Sequence, residues 1–404
     1  MLAEMTAWRA VPGSPVVGAL HATRIVHAAG IQSPLVLGVA PVARGNPFQA
    51  LFYRSFLGYG IATVDLNDPW SFPELRHIAR DYDIAVHLHW LNFVLGKSED
   101  LSAAQKDLGR FKDAVEKILA AGGKIVWTVH NLLPHDAKYV ELEMELRKAV
   151  SNAASLIHLM SDESGEIVRE MFDVDRNKTV VVPHPNYRGC YPDYVTRERA
   201  RLTLGLEPDE QVIVMLGAIK PYKGLETLLA AVEKIRRPER VRLIVAGMPD
   251  DSMAARKFVD KCLTHPSILI HPKKVATENV QYYLRAADVG VAPYDRVLNS
   301  GALLLYSTFD LPVVAPDVPS LHSAVVPGAH AFFTPGDPSS LAEAVLRALE
   351  PTVQFARRDI HKAMGLRDPE VVSKVLAGSV LEACAYRRRR EEVPVCAATP
   401  TLEG

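Results

Sequence analysis

From residue 34 onward, short apolar runs alternate with segments whose apolar residues recur at helical spacing. The runs PLVLGVAP, IATVDL, DIAVHLHW, KIVWTVHN, SLIHLM and KTVVVPHP are close to continuous in hydrophobic residues. Strands of that kind are buried on both faces, which predicts a parallel sheet with helices on each side. A second series then restarts with QVIVMLGAI, VRLIVAG, SILIHP, DVGVAPY and LPVVAPD, again with helical segments between. The predicted class is therefore α/β, with two doubly wound domains facing across a cleft. The joint falls around residues 184–196, in a stretch rich in Pro, Gly and Tyr. Residues 1–33 read as a flexible extension, 34–190 as the first domain, 191–375 as the second, and 376–404 as a terminal helix and disordered tail.

Length supports two cores, since 404 residues exceed what one usually organises. The formal net charge is −1, so no basic excess points to nucleic acid. The cysteines Cys190, Cys262, Cys384 and Cys396 are scattered, without metal-ligand spacing or a disulfide pattern. That suits a reducing compartment. No apolar run reaches the ~20 residues of a membrane span. The first thirty residues lack the basic start and apolar core of a secretory signal. A cytoplasmic location is expected. The arginines from Arg387 to Arg390 read as a solvated face or as a contact with anionic lipid at the membrane's inner surface.

In open parallel sheets ligands bind beyond the carboxyl ends of the strands, so the strand tips carry the candidate chemistry. In the first domain the tips hold His89, Trp90, His130 and Asn131, followed by Asp136. A single strand-end histidine is ordinarily a structural hydrogen bonder. Several at successive tips converge on one rim, where imidazole can bind sugar hydroxyls or move a proton. His130, His89 and Asp136 are the candidates for moving a proton; Asn46, Trp90 and Asn131 are further candidates for substrate contact on the same rim. Asn46 has a plainer reading as the start of the first helix, ahead of Pro47. In the second domain the tip GAIKPYKG carries Gly217, Lys220 and Lys223, and a later loop ends in Ser300-Gly301 at a helix start. Free amides and the helix dipole there favour a phosphate. Loop 272–276, with Lys274 and Val275, and the neighbouring Asn299 are candidates for nucleotide contact. No GxxxxGK[ST] loop and no Gly-rich dinucleotide fingerprint is present. The pair Asp81 and Asp83 precedes its strand, at the wrong end of the sheet for a metal.

The stretches LGAIKPYKGLETLL, AADVGVAPY and NSGALLLYSTFDLPVVAPD, in that order, resemble the two-Rossmann-domain (GT-B) glycosyltransferases, close to retaining family four. VWTVHNLLPHD, VHLHW and VVVPHPNY look like a bacterial subgroup of polysaccharide and glycolipid mannosyl- and glucosyltransferases. The resemblance spans about residues 34–385. It implies a nucleotide-sugar donor held mainly by the second domain, and an acceptor saccharide, glycolipid or small molecule facing the first. It also implies that Lys223 contacts the donor diphosphate, His130 the donor sugar, and the amides at Ser300 and Gly301 the diphosphate. Cofactors and metals are not expected, because lysine and helix amides would neutralise the leaving group.

The chain departs from that family in two respects. Ala218 stands where many relatives have arginine, with Lys220 as a substitute that lacks a bidentate fork. Leu298 or Asn299 and Tyr306 occupy the region of a glutamate pair, one of which binds ribose. Ribose recognition is therefore different, or activity is lost, and the stereochemical course stays open. An inverting enzyme would need a base, for which His89 and Asp136 are candidates. The expected function is hexose transfer to an acceptor hydroxyl. The alternatives are a nucleotide-sugar epimerase on the same fold and an inactive relative that only binds nucleotide sugars.

Overall fold

The computed structural model describes residues 14–134, 137–235 and 240–384, without the side chains of residues 354 and 355. The candidate Asp136 and the arginines at 387–390 lie outside the described residues.

Among the described residues, twelve strands form two sheets. The first holds β1 (Leu35–Ala40), β2 (Ile61–Asp65), β3 (Asp83–Leu88), β4 (Lys124–Thr128), β5 (Leu156–Leu159) and β6 (Thr179–Val181) in the order β2-β1-β3-β4-β5-β6. The second holds β7 (Gln211–Leu216), β8 (Val241–Ala246), β9 (Ile268–His271), β10 (Val289–Val291), β11 (Val313–Pro316) and β12 (Ala331–Phe333) in the order β12-β11-β10-β7-β8-β9. Every pairing is parallel. The strands are nearly all buried, as continuous apolar runs demand, because helices cover both faces of each sheet. The order reverses between β1 and β3 in one sheet and between β7 and β10 in the other. Those reversals open the crevices where ligands sit in such sheets.

The start of the chain departs from the expected loose extension. Residues Pro15–Ala28 form a helix that packs on β2, with Ser14 Oγ accepting from Val16 N at the cap and Pro15 in the first turn. Ala19 and Val26 are fully buried, while Val17 and Leu20 are 49% and 39% exposed. Small residues fill the packed face and larger apolar ones face water, so the hydrophobic pattern does not announce this helix.

The last described helix, Pro369–Ala383, returns to the first lobe. Val372, Leu376, Ala377 and Val380 enter the cluster formed by Leu35, Leu37, Phe48 and Phe52. Each fully buried aliphatic side chain is worth about 1.5–3 kcal/mol, so Val372, Leu376 and Val380 make this docking a substantial part of the first lobe's core. The lobes also meet at the cleft. Leu298 of the second lobe is buried in the first lobe's core, and Asn299 Nδ2 donates to His130 O at 3.1 Å.

Candidate active site

The rim of the first lobe is built from histidines on adjacent strands. β3 alternates its side chains across the sheet, so His87 and His89 share one face, two residues apart. Neighbouring tips supply Thr128 and His130, and β5 supplies His158. These groups touch in series. His158 Nε2 lies 2.7 Å from Val182 O, and His158 Nδ1 lies 3.0 Å from Thr128 Oγ1. Thr128 Oγ1 is 2.7 Å from His87 Nε2, and His87 Nδ1 is 2.7 Å from Tyr53 Oη. Tyr53 Oη is 2.5 Å from His89 Nε2, and His89 Nδ1 is 2.9 Å from His130 Nε2. Burial, reinforced by neighbouring imidazoles, holds His87, His89 and His130 well below the usual range. Burial brings His158 down to about 4. The rings are therefore neutral near pH 7. His130 reaches the cleft, stacked on Trp90 with ring centroids 4.2 Å apart.

The opposite wall is the turn after β7. Residues Pro221–Lys223 form one 3-10 turn, which ends at Gly224 in the left-handed region (φ 65°). A Cβ at Gly224 would lie 1.9 Å from Pro293 O, so only glycine lets this turn close on the loop after β10. The turn folds Lys223 inward, to 8% exposure, 6.0 Å from the centre of the Tyr294 ring. Burial, with Lys220 adding repulsion, lowers its ammonium to about 8. No carboxylate pairs with Lys223 among the described residues. Ser300 caps the helix Gly301–Thr308, its hydroxyl accepting from Leu303 N. That helix carries no acidic residue.

Between the walls lies a cleft of 480 Å³, lined in the first lobe by His89, Trp90, Asn92, Trp127, His130, Asn131 and Arg147. The second lobe contributes Lys220, Tyr222, Asp250 and Ser252. The structure thus brings His89, Trp90, His130, Asn131 and Lys220 together. Lys223, Gly217, Ser300, Gly301 and Asn299 do not line it; Lys223 Nζ packs against Gly217, and Asn299 meets the His130 carbonyl. His89 does not serve as a free base, because both of its nitrogens are taken by Tyr53 and His130. Asn46 stands apart from the cleft; its Oδ1 accepts from Phe48 N at 3.0 Å and starts the helix, the plainer reading. Lys274 is exposed and Val275 half-buried beyond β9, and neither lines the cleft.

Tyr306, one of the two departures, has a structural duty. Its hydroxyl accepts from Leu216 N at 2.7 Å and donates to Leu216 O at 3.3 Å. β10 pairs with β7 at Ile213 and Val214, and Tyr306 supplies the following rung. Gly290 makes room for its ring, since a Cβ there would meet Tyr306 Cδ2 at 2.4 Å. Sequence reasoning did not single out Tyr53, Thr128, His158 or Arg147. Arg147 and Glu143 form a buried ion pair one helical turn apart, and Arg147 Nε has no partner among the described residues. A charged pair on the inward face of an amphipathic helix was the available signal.

Residues 210–351 match the family described as "Glycosyl transferases group 1". The chain is 25% identical over 276 residues to a GDP-mannose:glycolipid 4-beta-D-mannosyltransferase of Xanthomonas campestris, covering 68% of this chain and 71% of that protein. It is 29% identical over 237 residues to a D-inositol 3-phosphate glycosyltransferase of Nocardia farcinica, covering 56% of this chain and 51% of that protein. Among solved structures, Anabaena HepE in complex with UDP and glucose superposes with a TM-score of 0.64 at 14% identity, over 86% of this chain and all of that one. Sucrose-phosphate synthase from Thermosynechococcus elongatus gives 0.63 at 15%, over 88% of this chain and all of that one. No helix among the described residues is long and apolar enough to cross a membrane. With two six-stranded parallel sheets the chain has the GT-B fold, and residues 210–351 of its second lobe resemble the group 1 glycosyl transferases.

Proposed function

We propose that this protein transfers a hexose from a nucleoside-diphosphate sugar to an acceptor hydroxyl on a glycan, glycolipid or small molecule. The observation that carries this reading is Lys223, a buried ammonium without a counter-ion among the described residues, repelled by Lys220 and facing Tyr294, which meets Ser300 at a helix N-terminus. A charge in that position is relieved when an anion arrives. The departing diphosphate is that anion. Lys223, Lys220 and the amides at Ser300 and Gly301 stabilise it as the glycosidic bond breaks, and no metal or cofactor has a part in the proposed step. His130 and Asn131 face the sugar and acceptor from the other wall. A mannosyl or glucosyl donor is supported by the relative named for GDP-mannose and the neighbour bound to UDP and glucose. A glycolipid acceptor would bring the first lobe to a membrane surface.

The test is thermal stability with GDP, UDP, dTDP and ADP, on wild type and Lys223→Ala. A ligand that binds the folded state raises the midpoint by mass action. One nucleotide is expected to shift the wild type and not the variant, and Lys223→Ala is expected to cut sugar transfer at least about tenfold. Equal shifts in both proteins, or none with millimolar ligand, would remove the assignment. A second reading, a relative that binds nucleotide sugars without transferring them, is favoured by the absence of a carboxylate on the helix Gly301–Thr308. A nucleotide shift without sugar transfer would select it. Donor conversion without any acceptor would select the epimerase.

A further inference from the structure

The buried groups of the first lobe form one hydrogen-bond chain, and we infer that this chain fixes His130 as its Nε2–H tautomer, leaving the Nδ1 lone pair to accept from a substrate hydroxyl. The assignment of a substrate rests on the transferase reading above; the tautomer does not. The direction of the chain follows from one end. Val182 O is a carbonyl and only accepts, so His158 Nε2 carries the proton between them. A neutral imidazole has a single N–H, so His158 Nδ1 accepts, and the Thr128 hydroxyl donates to it. Thr128 Oγ1 then accepts from His87 Nε2–H. His87 Nδ1 accepts the Tyr53 O–H, and Tyr53 Oη accepts from His89 Nε2–H. His89 Nδ1 is left as an acceptor, so His130 must donate to it from Nε2.

Reversing any one link forces the next to reverse. The reversal would run back until the His158 Nε2 lone pair faced the Val182 oxygen at 2.7 Å, a buried repulsion with nothing to relieve it. At the other end, His130 Nδ1 has no partner among the described residues, and the ring lines the cleft beside Asn131 and Trp90. A nitrogen held as an acceptor takes a hydroxyl or a water. It rejects phosphate oxygens and carbonyls, which have no proton to give. The rim of the first lobe is thereby matched to polyol chemistry, and the diphosphate is left to the second lobe. Tyr53, Thr128 and His158 are positioning residues for His130 and touch no substrate.

The experiment is long-range 1H–15N correlation on histidine-labelled protein, for wild type, Tyr53→Phe, Thr128→Val and Thr128→Ser. Wild type is expected to show Nε2–H with unprotonated Nδ1 at His87, His89, His130 and His158. Both variants that cut the chain are expected to give a mixture of tautomers at His130, and Thr128→Ser to restore one. With GDP-mannose or UDP-glucose as donor, kcat should fall about tenfold in the cut variants while KM changes little, the pattern of an interaction made in the transition state. A protonated Nδ1 at His130 in wild type would overturn the inference, as would an unchanged tautomer in both cut variants. The spectra decide this even if neither donor is turned over, in which case the transferase reading alone fails. Folding of the variants is checked by the unchanged resonance of His330, in the second lobe.

Discussion

Lowering the pH from 7 to 5 is expected to bring this protein close to unfolding. His87, His89, His130, His158, His184 and His330 are all held below the usual imidazole range by burial, the last three to about 4. In an unfolded chain they titrate near ~6.5. Between those values the unfolded chain binds more protons than the folded one. Stability therefore rises with pH across this window and is lost as pH falls through about 6.5 toward about 4. For one histidine with a folded value near 4, the step from pH 7 to 5 costs about 2 kcal/mol, so His158, His184 and His330 together cost about 6 kcal/mol, and His87, His89 and His130 act in the same direction. Asp65, which burial raises to about 6, opposes this, with an offset of about 1 kcal/mol. The remaining loss is comparable with the ~5–15 kcal/mol by which a domain is stable at all. Tryptophan fluorescence against pH should show a cooperative transition near pH 5. Calorimetry in two buffers of different ionisation enthalpy should report a net uptake of at least about two protons on unfolding near pH 5. His158→Asn tests the origin, because a carboxamide can still donate to Val182 O and accept from Thr128. It should lower the uptake by about one proton. A melting temperature that is flat between pH 7 and 5, or an uptake below about two protons, would refute the reasoning.

Tyr306→Phe removes a hydroxyl that serves both backbone groups of Leu216, and should destabilise the fold by about 1–3 kcal/mol, read from denaturant midpoints. An unchanged midpoint would show that water replaces the hydroxyl at that rung. Asp65→Asn should act in the other direction. Its Oδ1 has no partner among the described residues, and Arg44 reaches only Oδ2, at 3.3 Å. A carboxyl raised to about 6 is charged at a cost above that pH, so the variant should gain about 1 kcal/mol at pH 7.5 and less at pH 4.5. A gain that is equal at both pH values would mean that charge is not its cause.

The strand series was legible because buried parallel strands leave continuous apolar runs; β12, a short strand at a sheet edge of which only Phe333 is buried, leaves no such run and was missed. The rim histidines were legible for the same reason: a polar residue at the end of an apolar strand has few roles open to it. What joined them was not legible. Tyr53 sits at the end of a helix rich in aromatic residues, and nothing in its spacing says that its hydroxyl lies between two imidazoles. His158 stands inside the run SLIHLM, where its partners come from two other strands. The duty of Tyr306 was hidden likewise. Its partner Leu216 is 90 residues away. The helix Pro15–Ala28 escaped because its buried face is made of small residues. Local pattern reports burial; it does not report which buried groups meet.

The return of the helix Pro369–Ala383 to the first lobe means that the polypeptide crosses between the lobes twice. The second lobe is therefore an insertion within the first, with both of its ends attached. Recombination that exchanges lobes between relatives needs two breakpoints, one near residues 184–196 and one just before residue 369. A single crossover at the first would join a foreign terminal helix to this sheet and replace Val372, Leu376 and Val380 with residues fitted to another core. Recombination can exchange one lobe and leave the other intact only where both cuts occur together.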